Sequence, residues 1–479
     1  MKLFKIAAAA LLCAAMVPAF SSCDDDEKYN PVQDESQKID APVASVANGD
    51  VVSTTLSEIV LTYAKPVALN SAVAITLNDV AVAATVDPEN RCEVKVPVAL
   101  KAGTAYKLDV PERAVAVINT AWFAPAVSIS FSSEAIQTNY AALTNASATA
   151  EAKNVYEFLL ANSGVKVLSG ASGGESNNNV FSDWVNSVAA KYPALTCYDF
   201  LHLNRSGENW IDYSDVAAAT TQWQNNGLVS YMWHWNAPTD KDALDNKDWN
   251  KWSFYSAQTE FDIEEALKEG TWQHDFIISD IDKVAGYLKL LQDAGVPVIW
   301  RPLHEACGSF KYNNPWFWWG RAGVEATANL WKLMHDRLVN HHGLNNLIWV
   351  WTAQYDKGYE AEMATAYPGD EYVDIVGVDL YRDLDNGETE EDYTARMNEA
   401  YAAALNMTSG KKMVALSECG FLGDLGANVD KAGWSWFMLW YTDISSNPSE
   451  DGFGNSTEWI KSVFENPNVI NRGDMPSLK

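Results

Sequence analysis

Hydrophobic and polar positions change rhythm partway along this chain. From residue 41 to 134 apolar side chains recur at every second position. Cys92, Val94, Val96, Val98 and Leu100 form one face, Tyr106, Leu108 and Val110 another, and Val127, Ile129 and Phe131 a third. Period two marks half-buried strands, and the Asn-Gly, Asp-Pro and Ala-Gly turns between them predict a small β-sandwich. After residue 136 short apolar runs alternate with amphipathic stretches at helical spacing. Eight runs qualify as strands: Val167–Gly170, Ala194–Leu201, Leu228–Trp233, Val296–Trp300, Leu347–Trp351, Val373–Val378, Met413–Leu416 and Trp436–Trp440. Helices are expected at Ile277–Leu291 and Glu325–Asn340, the latter closed by a glycine cap at Gly343.

Eight strand–helix alternations over residues 136–479 predict an α/β domain, a (β/α)8 barrel of the TIM type, following the all-β module. An open doubly wound sheet is the alternative, but it would not naturally bring the fourth and seventh strands to one site. The largest insertion, Asn236–Asp275, follows the third strand and carries Trp249, Trp252, Tyr255 and Trp272.

Candidate chemistry sits at two strand ends. Arg301-Pro302-Leu303-His304-Glu305 closes the fourth run and Leu416-Ser417-Glu418-Cys419-Gly420 the seventh. In a parallel barrel that end faces the active site. Two carboxylates converging from different strands suit glycoside hydrolysis, one as acid for the leaving oxygen and one as anion for the sugar carbon. Arg301 would keep Glu418 ionised, whereas burial and the neighbouring negative charge would keep Glu305 protonated.

Composition narrows the partners. The chain has 479 residues and a formal net charge of −29, which disfavours nucleic acid and suits a neutral polysaccharide. Of the 20 tryptophans, all but Trp122 follow residue 150; most are expected in packing and the rest in a cleft. No histidine–carboxylate cluster has metal-site spacing, so no metal and no cofactor are expected, and His335, His341 and His342 read as surface. Cys92, Cys197, Cys307 and Cys419 are far apart; Cys307 and Cys419, close behind the two glutamates, could bridge in an oxidising compartment, with two small buried thiols the favoured reading. A monomer is expected.

The N-terminus has Lys2 and Lys5 before an apolar stretch, Ile6–Phe20, too short to span a bilayer, then Ser21-Ser22-Cys23. This resembles a Bacteroides-type lipoprotein signal, with cleavage after residue 22 and lipid on Cys23. Residues 23–40 would form an acidic tether, and Asp24-Asp25-Asp26-Glu27 resembles a surface-export signal. The expected location is the outer membrane, facing outwards; the alternative is a periplasm-facing anchor. Residues 41–134 resemble the immunoglobulin-like modules of bacterial surface proteins, with a spacer role favoured over carbohydrate binding.

A more specific resemblance covers the chain from about residue 150 to its end. Arg301–Glu305, then Trp316-Phe317-Trp318-Trp319-Gly320, Gly377-Val378-Asp379-Leu380-Tyr381, Ser417–Gly420 and Phe437-Met438-Leu439-Trp440 together resemble glycoside hydrolase family 26, the β-mannanase family. The resemblance implies Glu305 as acid/base and Glu418 as nucleophile. It implies His304 beside the acid/base, Tyr381 bonded to the nucleophile, Trp440 as floor under the sugar at subsite −1, Trp316 near the cleavage point and His234 bonded to that same sugar. One departure is the longer segment Ser309–Pro315 between Gly308 and Trp316, which bears on leaving-group specificity. The implied activity is a retaining endo-β-1,4-mannanase acting on mannan, glucomannan or galactomannan. Alternatives within the family cleave mixed-linkage β-glucan or β-1,3-xylan, or release mannobiose from chain ends. Outside it stands a non-catalytic surface glycan-binding lipoprotein.

Overall fold

The computed structural model describes residues 38–479 apart from 54, 101–102, 136, 175–176, 205–210, 246–247, 423–432 and 441–454. The expected signal segment, Cys23 and nearly all of the tether lie outside the described residues. The chain divides into two compact units, the first ending at Ser132 and the second running from Ser133 to Lys479, with Lys101–Thr104 grouped with the second.

The first unit is all-β. One sheet orders Val43–Ala44, Glu58–Thr62, Glu93–Pro97 and Thr85–Val86; a second orders Val51–Val52, Val127–Ser133, Ala105–Val110, Thr76–Leu77 and Val80–Ala81, and Val67–Leu69 pairs separately with Val115–Val117. Ile59, Leu61, Val94 and Val96 from the first sheet share one buried cluster with Leu108, Val110, Ile129 and Phe131 from the second. Alternation therefore puts the apolar faces where a sandwich needs them. Cys92 and Leu100, at the ends of their run, are only half-buried.

The second unit contains a closed parallel barrel of eight strands. They are β1 (Gly170–Ser172), β2 (Leu195–Asp199), β3 (Leu228–Met232), β4 (Val298–Arg301), β5 (Leu347–Gln354), β6 (Ile375–Leu380), β7 (Met413–Cys419) and β8 (Phe437–Leu439). Every residue of β2, β3, β4, β6 and β7 is buried, so these strands read as unbroken apolar runs rather than alternations. The first expected strand is split. Val167–Leu168 pairs with Val469–Ile470, and β1 begins only at Gly170. That glycine lies against β8 so closely that a Cβ would stand 2.4 Å from the Phe437 carbonyl oxygen.

The longest helix runs from Trp272 to Asp293, with Thr271 capping it by accepting from the His274 N–H. Phe276, Ile277, Asp280, Ile281, Val284, Ala285, Leu288 and Leu291 form its buried stripe, three and four residues apart. The helix expected at Glu325–Asn340 is α-helical from Val324 to Asp336 and then widens into a π-turn, Arg337–His341. Gly343 follows with φ +66°, a conformation that glycine adopts without a steric cost. His335 is not a surface residue as expected: its ring lies 4.7 Å from that of Trp349 and edge-on to Tyr372, and burial lowers its pKa. His341 is exposed, and the half-buried His342 lies 2.7 Å from an oxygen of Asp282.

The insertion after β3 is folded. Ala237–Pro238 pairs antiparallel with Trp252–Ser253, a short helix spans Ile263–Ala266, and Trp272–Asp275 already belong to the long helix. Trp252 packs on Phe276 and Trp272 on Phe261, whereas Tyr255 remains 45% exposed.

Candidate functional site

Arg301, the last residue of β4, organises the C-terminal mouth of the barrel. Its side chain is 2% exposed. Nη1 donates to Asp379 Oδ2 at 2.7 Å and Nη2 to Glu418 Oε2 at 2.6 Å; Met232 Sδ lies 3.1 Å from Nη2. Burial works against the guanidinium charge, but the two carboxylates outweigh it and hold the group firmly protonated. Asp379 and Glu418 sit opposite each other in the β6–β7 ladder, after a shift in register that re-aims both side chains into the mouth.

Glu418 meets a cation and a hydroxyl. Besides Arg301, it accepts a hydrogen bond from the Tyr381 hydroxyl at 2.5 Å, and its side chain is 8% exposed. Asp379 accepts from Arg301 and from Ser417 Oγ at 2.7 Å, yet burial pushes its carboxyl up to about 7.

Glu305 reaches the same place by a different route. It follows β4 in a tight turn whose Leu303 and Glu305 both have φ +49°, a strained backbone for residues with side chains. One oxygen from each of Glu305, Asp379 and Glu418 lies within 4.8 Å of the others. Burial, then repulsion from Asp379 and Glu418, raises the Glu305 pKa well above the carboxylate range. Trp316 Nε1 donates to Glu305 Oε2 at 2.9 Å and opposes part of that rise. Thus one carboxyl holds its proton while its neighbour stays hydrogen-bonded to a cation and a hydroxyl. Three clustered carboxylates could in principle hold a metal ion, but here the Arg301 guanidinium already supplies the positive charge to two of them.

The two histidines lie side by side. His304 is 1% and His234 8% exposed, with their Nε2 atoms 3.3 Å apart. The His234 Nδ1 is 2.5 Å from Asp199 Oδ2, so both ring nitrogens of His234 are engaged within the protein. Trp440, directly after β8, is half-buried with its ring 5.6 Å from that of His234. The structure therefore gathers all eight expected site residues, Glu305, Glu418, Arg301, His304, His234, Trp316, Tyr381 and Trp440, into one connected cluster.

Asp199 carries no expected role, although a charged residue inside the apolar run Ala194–Leu201 is a visible signal, and Asp379 is expected only as part of a motif. The run Trp316–Trp319 divides its labour: Trp318 Nε1 donates to the Trp235 carbonyl at 2.6 Å and Trp319 Nε1 to the His304 carbonyl at 3.0 Å, tying together the loops after β3 and β4. Cys419 is buried, Cys307 only half-buried, and both are free thiols. The segment Ser309–Pro315 forms a tight hairpin in which Ser309 Oγ donates to Asp356 at 3.0 Å, leaving Tyr312 70% exposed near its tip.

Behind the cluster, Asp280 on the long helix accepts from Trp235 Nε1 at 2.9 Å and from Asn204 Nδ2. Burial pushes its carboxyl up to about 7. The folded state then keeps a proton that the unfolded chain releases near pH 3.9, so this group makes stability fall as pH rises from about 4 to 7. Asp280→Asn should remove that loss, so that between those limits the variant gains on the native protein by about 1.4 kcal/mol as the pH rises by one. Urea unfolding at pH 5 and pH 7.5 checks it; an unchanged pH dependence in the variant would contradict the assignment.

Comparison with known proteins agrees with this geometry. Residues 144–474 match the model of glycosyl hydrolase family 26. A mannan endo-1,4-β-mannosidase of Thermothelomyces thermophilus is 36% identical over 333 residues, 68% of this chain and 62% of that protein. Mannan endo-1,4-β-mannosidase B of a Piromyces species is 34% identical over 344 residues, 70% of this chain and 54% of that protein. The chain thus spans less than two thirds of the length of these relatives. Among solved structures, the family 26 domain of an endo-β-mannanase/endo-β-glucanase from Prevotella bryantii superposes with a TM-score of 0.61 at 34% identity, covering 70% of this chain and 98% of that one. A β-mannanase from a symbiotic protist of the termite Reticulitermes speratus, complexed with gluco-manno-oligosaccharide, gives 0.60 at 34% identity, covering 71% and 99%. With the family model matched over most of its length, the chain belongs to glycosyl hydrolase family 26.

Proposed function

We propose that the protein is a retaining endo-β-1,4-mannanase acting on mannan, glucomannan or galactomannan by double displacement. The observation that carries the reading is the 4.8 Å limit on the oxygens of Glu305 and Glu418. Retaining enzymes hold their carboxyl groups about 5–5.5 Å apart, whereas inverting ones leave about 6.5–9.5 Å for an intervening water. Glu418, hydrogen-bonded to Arg301 and Tyr381, attacks the anomeric carbon. Glu305 gives its proton to the departing oxygen and then takes one from the water that releases the sugar. Trp440 forms the floor beneath the reacting mannosyl unit, with His234 and His304 along one wall and Trp316 at the cleavage point.

The mannan preference rests on the similarity to the mannosidases of Thermothelomyces and Piromyces. Product profiling on mannan, glucomannan, lichenan and β-1,3-xylan tests it. Rapid fragmentation of mannan into mixed oligosaccharides is expected; no hydrolysis of any mannan would overturn the assignment, and mannobiose as sole product would overturn endo action.

In the same reading the mature protein starts at a lipidated Cys23, and the immunoglobulin-like module serves as a spacer lifting the enzyme off the outer membrane. Trp122 supports a spacer rather than a sugar platform, because Lys38 Nζ lies over its ring at 4.5 Å. A surface location predicts that a non-permeant protease will digest the protein on intact cells. Survival while a known surface protein is degraded would place it in the periplasm.

A further inference from the structure

Asp199 closes β2 with 7% exposure and meets His234 twice. Its Oδ1 accepts the His234 backbone N–H at 3.0 Å, and its Oδ2 lies 2.5 Å from His234 Nδ1. An ionised carboxylate only accepts, so Nδ1 must carry a proton. In a neutral ring Nε2 is then a lone pair. The facing His304 Nε2, 3.3 Å away, has to supply the proton of that contact, which leaves His304 Nδ1 as a lone pair. That atom is buried and has no hydrogen-bond partner among the described residues. A buried orphan acceptor is tolerated more readily than a buried orphan N–H, so the arrangement is the cheaper of the two available. Burial above all depresses the His304 pKa well below that of a free histidine, in keeping with a neutral His304 ring.

We propose that Asp199 is a positioning residue: through His234 it dictates the tautomers of both histidines and so locks His304 in the orientation on which Glu305 depends, a role that rests on the hydrolytic reading above. The link to Glu305 is short. His304 lies between two residues at φ +49°, and its carbonyl is pinned by Trp319 Nε1. A proton on the buried Nδ1 would find no acceptor among the described residues, so the ring would be driven from its place in the same strained turn that carries Glu305.

Asp199→Asn makes a sharp test. The His234 backbone N–H can only donate, so it fixes the new amide oxygen at the Oδ1 position. The amide NH2 then faces His234 Nδ1 and forces that atom to become an acceptor. The proton moves to His234 Nε2, which donates to His304 Nε2, and His304 must carry its proton on the buried Nδ1. One substitution inverts both rings. The chain has seven histidines, few enough for long-range 1H–15N correlation on the uniformly labelled full-length protein to separate their tautomers. In the native protein His234 should read as Nδ1–H and His304 as Nε2–H; in Asp199→Asn the two patterns should exchange. A doubly protonated His234, or the opposite tautomers in the native protein, overturns the proposal without any variant. Turnover provides the second readout: kcat on mannohexaose should fall about 10–100-fold, as when an orienting carboxylate behind a histidine is lost, with KM nearly unchanged. Exchanged tautomers with unchanged kcat would also overturn the positioning role. Should the native enzyme fail to hydrolyse any mannan, the tautomer patterns still report on Asp199, and it is the substrate assignment that fails.

Discussion

Glu418→Ala should reduce kcat by on the order of 10⁶-fold, the scale seen when a hydrolase loses its covalent nucleophile. Glu418 is the carboxylate at the barrel mouth to which both Arg301 and Tyr381 donate a hydrogen bond. Asp379 cannot replace it, because both its oxygens are occupied by Arg301 and Ser417 and burial pushes its carboxyl up to about 7. Glu305→Ala should behave differently. General acid catalysis contributes about 10²–10⁴-fold, but a dinitrophenyl leaving group needs little protonation. The variant should therefore form the glycosyl-enzyme with that substrate at near-native rate and then stall, since no base activates the water. Azide separates the two variants stereochemically. With Glu305→Ala it attacks the covalent intermediate and yields a β-glycosyl azide; with Glu418→Ala it attacks the substrate directly and yields the α-product. Two azides of the same configuration would contradict the assignment of roles.

Much of this site was legible in the sequence because barrel strands are buried on both faces. An apolar run that ends abruptly in Arg301 or Glu418 announces where the strand meets the mouth, and β-barrel closure then brings distant ends together. Amphipathic spacing located the long helix for the same reason, to within a few residues at each end. What the pattern could not convey depends on pairings across the barrel. Asp199 is one charge inside an apolar run, and only the proximity of β2 to the loop after β3 turns it into the partner of His234. The split of the first expected strand follows from the pairing of Val167–Leu168 with Val469–Ile470, a partner far along the chain with no local signature. His335 escapes the pattern because a histidine near a helix end looks solvent-facing until Trp349 and Tyr372 close over it.

Arg301→Met should cost about 3–5 kcal/mol of stability at neutral pH, the usual result of stripping a buried carboxylate of its cation. Met preserves most of the volume, so packing loss is minor, and the expected penalty is electrostatic. Asp379 and Glu418 would face each other across the β6–β7 ladder, keeping their hydrogen bonds from Ser417 and Tyr381 but losing the cation between them. The folded pKa of Asp379, already pushed up to about 7 by burial, must then rise further. A carboxyl whose folded pKa lies above its unfolded value holds a proton that the unfolded chain releases, so stability is lost as pH rises through that interval. The deficit of the variant relative to the native protein should therefore be largest above pH 7 and shrink towards pH 5, where the folded Asp379 carboxyl is protonated. Adding Asp379→Asn to Arg301→Met should recover part of the deficit by removing one of the two charges, whereas Asp379→Asn alone leaves Arg301 bonded to Glu418. Denaturant unfolding of the three variants and the native protein at pH 5 and pH 8 measures each contribution. A deficit of equal size at both pH values would mean that Arg301 acts through packing rather than charge, and its electrostatic role beside Asp379 and Glu418 would fall with it.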